Sequence, residues 1–203
     1  TSTKLEMSVG HGSDLLSTDQ YHCVLAFKIY HQQQLYTHPS VINTRVALID
    51  LAPTIYAFLG TSNSPVDGIS LLGAIQEDKQ LPERAFVMES GMLPNQFLTR
   101  EKTRSLGKQF FTINPTSGQL HLRKDELATL DVLKLYALIK GDWVFALYPD
   151  DKGYIPIILS LKDGKWVDEL THDFAKKSPA HDMLNYLQRF YHKKLILADY
   201  QSY

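Results

Sequence analysis

Cysteine occurs once in the 203 residues, at Cys23, which excludes an intrachain disulfide and any zinc site built from several thiolates. Neither sign of charge dominates: 21 Lys plus Arg stand against 22 Asp plus Glu, a formal net charge of −1. That balance argues against nucleic acid or an anionic membrane as the main partner, because both select strongly positive fields. No uninterrupted apolar run approaches the ~18 residues that a membrane-spanning helix needs, and the residues from Thr1 onward show no signal-peptide pattern. There is no internal repeat, and the low-complexity content is the short Gln32-Gln33-Gln34. Cys-x-x-Cys, Gly-x-Ser-x-Gly, a Gly-rich phosphate loop and His-Glu-x-x-His are also missing. Thiol redox, α/β-hydrolase, P-loop and zincin chemistry therefore have no motif in the chain.

What is present is the composition of an ordinary globular protein, 44% apolar and 21% charged. The length suits one domain, or one domain with a small appended subdomain. A chain this long buries roughly 70% of its unfolded surface, so it needs no metal or disulfide to hold a core.

Leu5–Val9 alternates and runs into the polar turn Gly10-His11-Gly12-Ser13-Asp14, a strand end opening into a loop. Tyr21–Tyr30 is rich in β-formers and reads as a strand buried on both faces. Arg45–Leu59 reads as helical, with Pro53 predicting either two short helices or a break near Ala52 and Gly60 a stop. Arg84–Ser90 reads as a strand. Phe110–Ile113 and Gln119–Leu122 flank Pro115-Thr116-Ser117-Gly118 as a hairpin. Lys134–Lys140, Trp143–Tyr148 and Ile155–Leu161, joined by short turns, predict an antiparallel meander. Ser178 as N-cap and Pro179 at the first helical position open a last helix. Met183, Leu184, Leu187, Phe190 and Tyr191 form its apolar stripe, expected to pack on the meander. Asp150, Asp151 and Asp163 read as turn acids, and Trp143 and Trp166 as core or sheet-face residues.

Four of the eight histidines, His11, His22, His31 and His38, fall in the first 38 positions. His11 sits between two glycines after a predicted strand, a place where a ligand can approach the backbone. His22 opens a predicted buried strand, where an imidazole needs a hydrogen-bond partner or a metal. Ordinary solvated or core histidines remain the competing reading of each alone.

The segment Val46-Ala47-Leu48-Ile49-Asp50-Leu51-Ala52-Pro53-Thr54 is similar to a stretch found in the sulfatase branch of the alkaline phosphatase superfamily. Asp67-Gly68-Ile69-Ser70-Leu71 resembles that family's next marker, and Val87-Met88-Glu89-Ser90 its strand ending in Glu-Ser. Ala137 through Trp143 and the late helix follow in the family's order, so the resemblance spans most of residues 8–193. It implies an α/β fold: a partial alkaline-phosphatase-like parallel sheet within residues 1–90, then a small antiparallel subdomain with a C-terminal helix over residues 91–203. It implies a hydrolase or transferase acting on sulfate or phosphate esters, in which metal ions polarise the ester oxygens and a Ser, Thr or formylglycine nucleophile attacks. His11 and His22 match histidines of the family and are carried over as metal ligands for zinc, calcium or manganese. A periplasmic or extracellular location is implied by the resemblance alone.

The departures are equally specific. Gly10 stands where the family has a ligating Asp, and Asp14 is a nearby substitute. Cys23 is followed by Val24-Leu25-Ala26-Phe27, not by Cys-x-Pro-x-Arg, so it is no formylglycine site. The family's paired acidic ligands and nucleophile have no counterpart here, and no residue is assigned a catalytic role. The expectation is the C-terminal part of such an enzyme, partnered by its N-terminal half or by a second copy. The alternative is a non-catalytic binding or structural module derived from the same fold.

Overall fold

Continuous apolar runs, Leu135–Ile139 and Val144–Leu147, supply strands that are buried at every position. A computed structural model describes residues 14–31, 33–35, 41–61, 65–91, 99–131 and 133–198. In chain order it contains β1 (Tyr30–His31), β2 (Gln34–Leu35), α1 (Leu51–Leu59), α2 (Leu72–Glu77), β3 (Phe86–Ser90) and α3 (Arg100–Phe110). These are followed by β4 (Phe111–Ile113), β5 (Leu120–Leu122), α4 (Leu127–Asp131), β6 (Leu135–Lys140), β7 (Trp143–Asp150), β8 (Gly153–Ser160), β9 (Trp166–Val167), α5 (Asp173–Lys176) and α6 (Ala180–Phe190). The described residues fall into two compact units, residues 14–22 with 87–198, and residues 23–86.

In the larger unit five strands stand in the order β3-β6-β7-β8-β9. The expected meander is there: β6 pairs antiparallel with β7, β7 with β8 and β8 with β9. Leu135–Leu138 and Val144–Leu147 are essentially inaccessible to solvent. Pro156 lies between the two stretches that pair on the outer side of β8, the bridge of Tyr154 to Leu197 and the β9 pairs at Ile158 and Leu159, where its missing N–H leaves no ladder bond unmade. The expected hairpin is also found, with Phe111 opposite Leu122 and Ile113 opposite Leu120. Thr116 and Ser117 donate their N–H groups to Asn114 Oδ1, closing its turn. The fold is therefore mixed α/β with an antiparallel sheet. The expected partial parallel sheet is not found among the described residues.

The last helix starts one residue later than its sequence signals predict, at Ala180. Ser178 still serves its N-terminus: its Oγ accepts from Ala180 N at 3.2 Å and donates to Ala175 O at 2.6 Å. Met183 and Leu187 are buried as expected, but Phe190 is 54% exposed and does not join the core. α6 stops there because Tyr191 is followed by His192 in the left-handed region, φ 50°.

In the smaller unit a short 3₁₀ turn, Leu48–Asp50, leads into α1 without a break at Ala52. Pro53 causes none because it falls in the first turn, where its missing N–H has no intrahelical partner to lose. Gly60 ends α1 as predicted, at φ 64°. The stretch 22–29 is not a strand buried on both faces. It has no regular secondary structure, its residues alternate between half-buried and exposed, and Val24 is 92% exposed. β-forming side chains favour a pleated surface, yet a strand exists only where a neighbour completes its ladder, and here only Tyr30 and His31 pair, with Leu35 and Gln34.

Candidate functional site

The loop that was expected to hold the chemistry is entered at its C-terminal side. His11 lies outside the described residues, as do Gly10 and the strand expected before them. Asp14 is described and half-buried. Its Oδ1 accepts from Leu16 N at 3.1 Å and also from the Tyr148 hydroxyl of β7. Leu15, Leu16 and Ser17 are buried beside it, and a 3₁₀ turn, Thr18–Gln20, follows. Burial first, then the hydrogen bond and charge of Asp14, hold the Tyr148 phenol well above its ordinary pKa of 10. Tyr148 is thus a neutral donor that fixes Asp14, and the Asp14 oxygen facing it is committed to protein partners.

His22 is exposed, and its N–H donates to Thr18 O at 2.7 Å, which extends the turn by one residue. Among the described residues no three of His, Cys, Asp and Glu come together in a way that could hold a metal ion. The described side chains therefore do not by themselves fit the metal that the resemblance implies. Cys23 is exposed and unpaired with any other thiol.

The residues that carried the resemblance are brought together elsewhere, around Asp50. This carboxylate has no solvent exposure. Its Oδ2 accepts from Ala47 N at 2.9 Å and forms an ion pair with Arg84 Nη2, while Oδ1 accepts from Ile69 N at 2.9 Å. Thr54 Oγ1 donates to Asp50 O at 2.6 Å and accepts from Leu71 N at 2.9 Å. A Cβ on Gly68 would stand 2.1 Å from Ile49 O, so only glycine lets the second motif lie on the first. The Arg84 guanidinium lies 4.7 Å from the Phe86 ring centroid. A charge inside the apolar run Leu48–Ala52 was the sequence signal for this cluster. Its chemistry is structural: every interaction described for the carboxylate is with the chain's own N–H groups and guanidinium.

Comparison with protein-family models, with curated proteins and with solved structures finds no match to this chain.

Proposed function

We propose that this chain is the C-terminal part of a metal-dependent sulfate- or phosphate-ester hydrolase or transferase of the sulfatase branch of the alkaline phosphatase superfamily. The observation that carries the reading is the Asp50 cluster. Residues 46–54 and 67–71, two of the stretches in which the resemblance lies, interlock through Asp50, Thr54, Ile69 and Leu71. Unrelated stretches with accidental likeness have no reason to meet backbone to side chain in this way. Further support comes from Leu48, Ile55 and Leu59, each at least 50% exposed along α1 and its leading turn. Such an apolar face suits the sheet half that the reading places outside these residues. On this reading His11 and His22 are two of the metal ligands, the nucleophile and acidic ligands belong to the other half, and the intact enzyme works in the periplasm or outside the cell.

Reading the gene on the 5′ side of the Thr1 codon tests the proposal. An open frame carrying paired acids and a Ser, Thr or Cys-x-Pro-x-Arg nucleophile supports it, and a start codon at or just before Thr1 overturns it. The second reading, a non-catalytic module derived from the same fold, is favoured by Gly10 standing where the family has a ligating Asp. Metal analysis of the intact protein separates the two: zinc, calcium or manganese that is lost in His11→Ala/His22→Ala supports the enzyme.

A further inference from the structure

The C-terminal end of α6 carries an open groove of about 530 Å³ lined by Asn185, Gln188, Arg189, His192, Lys193 and Lys194. Three permanent cations and an imidazole face it together with two neutral amides, and no carboxylate lines it. The acid of the same helix, Asp182, is seven residues, about 10 Å along the axis, from Arg189. In a chain of net charge −1 this is a pronounced local excess.

Cations at a helix C-terminus often serve the exposed carbonyls and the helix dipole. Here the backbone already does that work. Tyr191 N donates to Leu187 O at 3.0 Å, Lys193 N to Gln188 O at 3.2 Å and His192 N to Arg189 O at 3.3 Å, which closes the helix in a Schellman turn. Glycine is the residue that such a turn favours at its left-handed position, and α1 has Gly60 there. α6 instead holds a histidine at φ 50°. α2 likewise ends on a non-glycine residue, Asp78 at φ 52°, so what marks His192 is its place in the groove lining. The groove is also preorganised. Lys193 Nζ donates to the buried Tyr136 hydroxyl at 2.6 Å, and Leu195 N donates to Gln188 Oε1 at 3.1 Å, which pins the chain leaving the helix.

We propose that this groove binds a tetrahedral oxyanion, the phosphate or sulfate group of a small ester or of a lipid headgroup. Arg189 supplies the fork that matches two oxygens of such a group. Lys194 supplies compact charge, Lys193 adds to the field from its place on the Tyr136 hydroxyl, and the His192 ring and the two amides supply directional donors. The stacked Tyr186 and Phe190 rings, 6.5 Å apart at 14° and both exposed, lie on the neighbouring face of α6, where the organic part of the ligand would rest. The site is independent of the ester-hydrolase reading, since none of its residues is a motif residue of that resemblance.

The test is a ¹H–¹⁵N NMR titration of the chain with inorganic phosphate and then sulfate, at ionic strength held constant with sodium chloride. We expect saturable shifts of the Arg189 side chain and of backbone amides 188–195, with apparent Kd in the millimolar range. Affinity should fall about tenfold in R189Q/K194Q, two exposed changes that leave Tm unaltered. His192→Gly is the sharper variant: Tm should rise by about 2–4 °C as the left-handed strain is relieved, while affinity falls. A histidine kept for structure alone would change Tm and leave the titration as it was. Vesicles of phosphatidylglycerol, set against phosphatidylcholine, distinguish the sources. Binding to them that R189Q/K194Q abolishes, without shifts from free phosphate, assigns the groove to a headgroup. The proposal is overturned if neither probe binds, if sodium chloride alone reproduces the shifts, or if R189Q/K194Q binds as well as the parent chain.

Discussion

At the scale of single residues the molecule rests on two carboxylates, and each is held by a different chemistry. Asp50 is ionic: it is fully buried and meets Arg84 and two backbone N–H groups. Removing one partner of a buried pair leaves the other charge uncompensated, which costs about 3–5 kcal/mol. Asp50→Asn should therefore destabilise the unit of residues 23–86 by that amount, and its amide N–H₂ would face donors on one side. Asp14 is held by a phenol. Tyr148→Phe removes that donor and should cost about 1–2 kcal/mol near neutral pH, read from urea unfolding. The sign of its pH dependence follows from the direction of the shift. The Tyr148 pKa is raised in the folded state, so its contribution is complete below the unfolded value near 10 and is lost as pH climbs above it. Parent stability should then fall above about pH 10 more steeply than that of Tyr148→Phe. Equal slopes would show that Tyr148 ionises as freely when folded.

At the scale of elements, helix ends show how much one backbone angle decides. Gly60 stands at φ 64° with nothing within 4 Å of the position a Cβ would take. Gly60→Ala thus introduces no clash, and the cost is the left-handed backbone alone, about 1 kcal/mol by denaturant unfolding. A larger loss would mean that the Schellman turn itself opens. Elements whose pattern and turn chemistry agree were legible from the sequence. The β6–β8 meander has continuous runs of β-formers punctuated by Gly141-Asp142 and Asp151-Lys152-Gly153, and the β4–β5 hairpin has Gly118 at φ 68°. α3 was not legible, because Arg100–Phe110 carries little apolar pattern. It is started by Thr99, whose Oγ1 accepts from Lys102 N at 3.2 Å. The stretch 22–29 misled for the opposite reason: β-forming composition without a partner strand is not a strand.

At the scale of the whole chain, the candidate site was legible only as pattern. The segments that hold Asp50, Thr54 and Gly68 carried the resemblance in the sequence, whereas in the structure these residues and Arg84 form a lock; which polar residues are buried is decided by packing across tens of residues. His11 and His22 remain a proposal because one lies outside the described residues, and the other is exposed and belongs to no group of three ligands among the described residues. The two-unit organisation makes the locks separately testable. Trp143 and Trp166 both belong to the unit of residues 14–22 and 87–198, and the unit of residues 23–86 contains no tryptophan. Tryptophan fluorescence therefore reports one unit alone, and hydrogen exchange by mass spectrometry reports both. In Asp50→Asn, amides 47–71 should lose protection while the fluorescence-monitored urea midpoint stays within experimental error of the parent. In Tyr148→Phe the midpoint should drop and exchange over 47–71 stay unchanged. If Asp50→Asn lowered the tryptophan midpoint by as much as it loosens 47–71, the chain would unfold as one cooperative body, and the division into two units would have no thermodynamic meaning.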